Sequence, residues 1–183
     1  AEYQSAHYVL TSDIDCENAD IGPIGDDLHP FRGVFDGQNH TISNFTAGAA
    51  GLFGHIGNGA IIRNVNFANV SCNNEYLSAV LARTIIGAEL NNISIGIAGF
   101  TRVDHDSGIL ASRIIEKSVI KDVKIDASKC TVYSLFGNEM KGNTYNGVEV
   151  KVKAYTMFAY QGTDVNSSDK TAAPANVKVT VVA

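Results

Sequence analysis

The sequence has no tryptophan, only three prolines and three cysteines, and no long apolar run. The cysteines, Cys16, Cys72 and Cys130, form no C-x-x-C motif, and at least one of them must remain unpaired. No stretch approaches the roughly 18 apolar residues that a membrane-spanning helix needs, and the first ten residues lack the features of a signal peptide. We therefore expect no membrane insertion, and a mature or excised piece of a longer protein.

Basic residues are few and scattered, with 14 Lys and Arg in 183 residues and a formal net charge of -5. No basic stripe is available to neutralise phosphates, which argues against a nucleic-acid partner. Hydrophobic residues make up 45% of the chain and charged residues 18%, and there are 17 glycines. This composition predicts a folded, β-favouring domain that is large enough to need neither disulfides nor a metal.

The chain does have an internal repeat, which decides its expected fold. Its units begin at Gly51, Ala79, Gly108, Ser134 and Thr156, so successive starts are 28, 29, 26 and 22 residues apart. Each unit begins with a short apolar strand that carries one pair of large side chains, followed by a polar or glycine-bearing corner. The pairs are Leu52-Phe53, Val80-Leu81, Ile109-Leu110, Leu135-Phe136 and Met157-Phe158.

A second strand in each unit alternates strictly, so every second side chain faces one buried side. The five strands contain Val65-x-Phe67, Ile93-x-Ile95, Val123-x-Ile125, Val148-x-Val150 and Val177-x-Val179. The residues directly before them are Asn64, Asn92, Asp122, Gly147 and Asn176. These residue types tolerate left-handed backbone conformations, which indicates one corner repeated in every unit.

The repeat predicts an all-β fold, a right-handed parallel β-helix of about six coils. Helical spacing is absent and no leucine-rich frame is kept, so the other solenoids of this period are disfavoured. We expect one domain over residues 1–183, with an N-terminal coil at 1–50 and repeat coils at 51–183.

Two further segments precede the repeat. Residues 8–15, YVLTSDID, alternate like a strand, and residues 31–45, FRGVFDGQNHTISNF, read as two strands joined at Asp36-Gly37. With Gly51-Leu52-Phe53-Gly54, they follow in the order Y-V-L-x-x-D-I-D, F-x-G-x-F-D-G-x-x-H-T-I-x-N and G-L-F-G. Over residues 8–70 the chain therefore resembles bacterial surface proteins of the GLUG-motif type.

This resemblance implies a β-helical, secreted or cell-wall-attached accessory module. Such modules occur beside immunoglobulin A proteases, adhesins and carbohydrate-active enzymes, and they have no established catalytic residues to carry over. The resemblance also implies an extracellular or cell-surface location and neighbouring domains in the parent chain.

Motifs of common catalytic sites are missing from the sequence. None of the five histidines is followed by Glu as in H-E-x-x-H, and no G-x-S-x-G, phosphate-binding loop or dinucleotide fingerprint occurs. We therefore expect no enzyme activity, no cofactor and no metal, and no residue is assigned to catalysis. A glycoside-cleaving site would need carboxylates from several coils, for which the possible contributors are Asp13, Asp15, Asp36, Asp104 and Asp106.

Other polar features have a plain structural interpretation beside a functional one. The loop Arg102-Val103-Asp104-His105-Asp106 could hold calcium or a sugar, but a solvated loop is favoured. His40 is expected to make a turn hydrogen bond, and the seven tyrosines to pack at the core or rim. Five N-x-[ST] sequons are interpreted as corner asparagines, at Asn39, Asn44, Asn69, Asn92 and Asn166.

The sequence favours a non-catalytic adhesin-type or spacer module that presents a rigid surface to a host surface protein or a polysaccharide. Its binding residues are not identified by any motif. One alternative is a carbohydrate-binding or carbohydrate-active β-helix, which requires carboxylates and exposed tyrosines to converge in one groove. Another is a purely structural stalk with ends that continue into neighbouring domains.

Overall fold

A computed structural model of the chain describes residues 3–48, 50–72, 79–100, 108–139, 141–161 and 173–182. Apart from a short 3-10 helix at Tyr3–Ser5, its regular elements are strands, and all pairings between them are parallel. The strands are β1 (His7–Val9), β2 (Ile14–Ile21), β3 (Val34–Asp36), β4 (Thr41–Ala47), β5 (Phe53–Ile56), β6 (Ile61–Cys72), β7 (Ala82–Ile86), β8 (Glu89–Phe100), β9 (Ala111–Glu116), β10 (Val119–Ser134), β11 (Asn138–Glu139), β12 (Thr144–Asn146), β13 (Val148–Met157), β14 (Tyr160–Gln161) and β15 (Val177–Val181). The parallel β-helix predicted from the repeat is confirmed.

The strands form two sheets that the chain visits in turn. The larger sheet follows the order β1-β3-β6-β8-β10-β13-β15, with β2, β4 and β12 paired beside this path. The smaller sheet has the order β14-β11-β9-β7-β5. The solenoid has about five turns, one fewer than the expected six. The difference arises because, among the described residues, the first turn reaches the smaller sheet only through two isolated bridges, from Ile24 to Phe53 and from Phe31 to Ile56.

The five alternating strands stack in the register that the repeat predicts. Val65 pairs with Ile93, Ile93 with Val123, and Val148 with Val177. Two residues later, one inward column runs Ile42, Phe67, Ile95, Ile125, Val150 and Val179. The members from Ile42 to Val150 are all buried. Burial of one face fixes this register, because a slip by one residue would turn every apolar side chain outward.

The repeated corner before these strands has the expected backbone geometry in four units of five. Asn64, Asn92, Asp122 and Gly147 have φ of 52°, 54°, 51° and 64°. The prediction is wrong for Asn176, which has no positive φ. It lies in a turn closed by the Val177 amide on the Pro174 carbonyl at 2.9 Å, so β15 begins there and no continuous strand bends at this residue.

Side-chain amides link these corners from turn to turn. The Asn92 amide Nδ2 donates to Asn64 Oδ1 at 2.9 Å, and Asn64 Nδ2 donates to Asp36 Oδ1 at 3.2 Å. A second corner, at Asn44 and Asn69, has φ of 55° and 53° and is joined by a 2.6 Å hydrogen bond. The large sheet is therefore folded along two lines of asparagine.

The five apolar pairs are buried, as predicted, but most of them are not within strands. Both members of three pairs, at Val80, Ile109 and Leu135, lie in the bend that leads into the smaller sheet. At the last of these bends, Phe136 packs against the rings of Phe158 and Tyr145, with centroids 4.7 and 5.7 Å away. The pairs fill the end of the core where the chain changes direction.

One N-terminal prediction is confirmed and the other is wrong. The two strands expected over residues 31–45 are present as β3 and β4, with a tight turn after Asp36-Gly37, and each pairs in parallel with the next turn. Residues 8–15 do not form one strand, because β1 ends at Val9 and β2 begins only at Ile14. In the described part of the chain, no helix is long and apolar enough to cross a membrane.

Candidate binding groove

A shallow groove of about 470 Å³ runs across the outside of the large sheet. It lies between the Asn64 corner and the Asn69 corner, on the strip that we call the front face. Its walls and floor come from β6, β8, β10 and β13, with Thr41 at one end. A second depression of about 240 Å³, which shares Gly96 and Asp126 with the groove, continues it beyond the Asn69 corner.

Two columns of outward side chains form the front face, because alternate residues of each strand point away from the core. The first column is Thr41, Asn66, Ser94, Lys124, Glu149 and Lys178. The second column is Ser43, Ala68, Gly96, Asp126, Lys151 and Thr180, in which Ala68 and Gly96 are neighbours although β6 shifts register just after Phe67. The early turns therefore present small polar or short side chains, and the later turns present charges.

The depth of the groove results from Ala68 and Gly96, which stand at neighbouring turns. A Cβ added to Gly96 would come no closer than 3.7 Å to another heavy atom, and this glycine has no positive φ. Neither packing nor backbone conformation therefore requires glycine here. Its main structural effect is to leave the floor of the groove open.

The polar wall of the groove is held by hydrogen bonds between turns. Ser94 Oγ donates to Asn66 Oδ1 at 2.7 Å, and Asn66 Nδ2 donates to the Asn39 carbonyl at 2.9 Å. These contacts fix both side chains before a ligand binds, so less conformational entropy is lost on binding.

The charged half of the groove alternates in sign. Lys124 stands opposite Glu149, and Asp126 stands opposite Lys151. Hydrogen bonds from Ser128 lower the pKa of Asp126, and the nearby Lys151 and Lys129 lower it further. Asp126 is therefore ionised at neutral pH and is available as a hydrogen-bond acceptor rather than as a general acid.

The described carboxylates that the sequence suggested for a glycoside-cleaving site do not line the groove. Asp13 accepts hydrogen bonds from the Thr41 amide and from His40, and Asp15 from the Glu17 amide and Asn44, which lowers both pKa values. Both are exposed in the first turn.

Asp36 is buried at the first corner. Burial raises its pKa, but hydrogen bonds from Gln38, Asn64 and Arg63 outweigh this effect and leave the pKa below its usual value. Asp104 and Asp106, with the rest of the loop Arg102–Asp106, lie outside the described residues. The described members of this set are thus spread over the first turn and the first corner, not gathered in one groove.

The other polar features mostly have the structural roles predicted for them. The His40 amide closes a turn on the Gly37 carbonyl at 2.8 Å. Asn39, Asn44, Asn69 and Asn92 all have positive φ and take part in hydrogen bonds at the corners, while Asn166 lies outside the described residues. No tyrosine lines the groove within the described part of the chain, where Tyr145 is buried and Tyr3 and Tyr8 are exposed in the first turn.

A smaller notch of about 150 Å³ lies on the opposite side, where His55, Asp27 and Arg83 meet. His55 Nε2 contacts the Asp27 carboxylate, and the two groups form an ion pair only when His55 is protonated. The contact does not meet the geometry of a hydrogen bond. Burial lowers the pKa of His55, and the Asp27 charge opposes this shift. The described residues contain no cluster of three or more His, Cys, Asp or Glu side chains that could hold a metal ion.

The groove residues are not among those predicted from the sequence, although the repeat contains a pattern that points to them. The residue between the two apolar positions of each aligned strand belongs to the first column, from Asn66 to Lys178. Reading these middle positions down the repeat would have found one wall of the groove.

No family model, curated protein or solved structure matches the chain.

Proposed function

We propose that this chain is a non-catalytic, adhesin-type module that binds a polysaccharide in the groove of its front face. The proposal rests on one observation about Gly96: packing does not require a glycine there, yet the missing side chain keeps the groove open. A secreted or cell-surface location, beside other domains of a longer protein, is part of the proposal and rests on the GLUG-motif resemblance.

The chemistry of the groove favours a sugar polymer over a protein ligand. Protein interfaces depend on apolar and aromatic anchors, whereas the apolar residues under this groove, Phe67, Ile95 and Ile125, are buried. The exposed groups are hydroxyls, amides, carboxylates and ammonium groups, which suit a ligand rich in hydroxyl groups. The groove also crosses several turns, so it can follow an extended chain.

A glycan array screened with the 183-residue protein tests the proposal, followed by titration of the polysaccharide that binds best. Gly96→Gln fills the groove and is expected to weaken binding about tenfold or more, a loss of roughly 1.4 kcal/mol. Gly99→Gln is the matched control, because a Cβ there comes no closer than 4.0 Å to another heavy atom and Gly99 lies outside the groove. Failure to bind any glycan, or equal binding by the two variants, would refute the proposal.

A further inference from the structure

Exposed apolar side chains are concentrated at the two ends of the solenoid. Among the described residues, the exposed large hydrophobic side chains are Tyr3, Tyr8, Val9, Ile14, Ile24 and Leu28 near the N-terminal end, Val181 and Val182 near the C-terminal end, and Val119. Eight of these nine therefore lie in the first turn or at the last strand. Large contiguous apolar surfaces are typical of interaction sites.

Among the described residues, the inward column that runs through Ile42 ends at Ile14 on one side and at Val179 on the other. Ile14 is 41% exposed, although the next member of its column is buried. In the described part of the chain, β2 pairs only with β4 and β15 only with β13, so each has an unpaired edge.

The described residues of the first turn and of the last two strands in the large sheet carry opposite net charges. No Lys or Arg precedes Arg32 in the sequence. The described carboxylates of this segment are Asp13, Asp15, Glu17, Asp20, Asp26 and Asp27. At the other end, β13 and β15 carry Lys151, Lys153 and Lys178 against a single carboxylate, Glu149.

The charges also match in register. Asp13 directly precedes Ile14, and Lys178 directly precedes Val179. If β2 of one copy pairs in parallel with β15 of another so that Ile14 covers Val179, Asp13 stands opposite Lys178. Opposite charges directly across a strand pair are stabilising, and like charges are destabilising.

We propose that a second copy of this chain docks head-to-tail on the first, with β2 of one copy continuing the large sheet after β15 of the other. All strands run in the same direction, so the incoming strand has the orientation of the next turn. The contact joins two different surfaces and leaves one of each free, so assembly can continue beyond a dimer. This inference does not depend on the proposed function, although stacking would also align successive grooves along one axis.

Sedimentation velocity over a wide range of protein concentrations tests the proposal. The chain is expected to form dimers and longer species as its concentration rises. Lys178→Asp places a carboxylate opposite Asp13 and is expected to weaken association about tenfold at low ionic strength. Asp13→Lys is expected to do the same from the other end, and it also removes the hydrogen bonds that Asp13 accepts from the Thr41 amide and from His40. Lys121→Asp is the control, with the same charge change at an exposed position in the middle of the rod.

The decisive experiment mixes the two variants, Lys178→Asp and Asp13→Lys. Each variant alone places like charges at the contact, whereas copies of the two variants that alternate along a stack have opposite charges at every junction. The mixture is expected to associate like the unmodified chain. A chain that stays monomeric at all concentrations, or association that Lys178→Asp does not weaken, or a mixture that stays dissociated, would overturn the proposal. A monomer would show that something other than a second copy, such as a further coil, covers these ends.

Discussion

The asparagine corners lead to an unusual prediction about alanine and glycine in a strand. Asn92 has a φ of 54°, and its Nδ2 donates to Asn64 Oδ1 at 2.9 Å and to Asn39 Oδ1 at 3.2 Å. Asn92→Ala loses these hydrogen bonds, each contributing about 0.5–1 kcal/mol at an exposed site. Alanine also keeps a Cβ in the left-handed region, which costs roughly 1–2 kcal/mol, but lacks the polar side chain whose local hydrogen bonds let asparagine tolerate this conformation. We expect a total loss of about 2–4 kcal/mol.

Asn92→Gly loses the same hydrogen bonds without the backbone strain, so we expect a loss of about 1–2 kcal/mol. Glycine should thus be the better substitute here, although in an ordinary strand it is worse than alanine by roughly 0.5–1 kcal/mol. The neighbouring Asn91, which has no positive φ, is the control and should show the ordinary order.

Urea denaturation followed by circular dichroism measures both pairs of variants. The prediction concerns the order of stability within each pair, so it does not depend on the absolute free energy of unfolding. If Asn92→Gly proved less stable than Asn92→Ala, the corner would not require a left-handed residue and the reasoning would be refuted.

Three further predictions concern the core, a tight corner and pH. Phe136→Ala should reduce the free energy of unfolding by about 3–5 kcal/mol in urea, because its ring is fully buried between two others; a loss below about 1 kcal/mol would contradict the packing. Gly137→Ala should destabilise the chain far more than Gly99→Ala in the same assay, because its Cβ would lie 2.2 Å from a backbone carbonyl oxygen and its φ is 69°; equal effects would contradict this. Stability should fall with acid in two stages measured by thermal melting. Burial lowers the pKa of His55, so the unfolded chain binds its proton more readily and the first loss begins below about pH 6.5; the lowered pKa of Asp36 adds a second loss below about pH 4. His55→Gln should remove the first stage alone, and an unchanged melting profile would exclude its role.

Much of the fold is encoded in short-range features that the sequence displays directly. The alternation at Val65-x-Phe67 and its equivalents determines which side chains are buried, and burial fixes the register. The corner at Asn64 and Asn92 is visible because few residue types tolerate its backbone conformation. Both signals are local, so a single sequence is enough to reveal them.

Other features depend on how neighbouring turns meet and could not be read from one strand at a time. The register shift in β6 between Phe67 and Val70 surrounds the second corner, at Asn69, so this corner does not align with a simple period. The groove likewise requires Ala68 and Gly96 to stand side by side on successive turns. These two residues are 28 positions apart in the sequence and become neighbours only when the turns stack. The opposite charges at the two ends of the solenoid likewise face each other only when the end of one copy is aligned with the start of another.

The central claim is that the front face binds a polysaccharide in the groove above Gly96. The most direct measurement compares the dissociation constants of Gly96→Gln and Gly99→Gln for the polysaccharide that the unmodified chain binds best on the array. We expect Gly99→Gln to bind like the unmodified chain and Gly96→Gln to bind about tenfold or more weakly while unfolding at the same urea concentration. Equal dissociation constants for the two folded variants would contradict it.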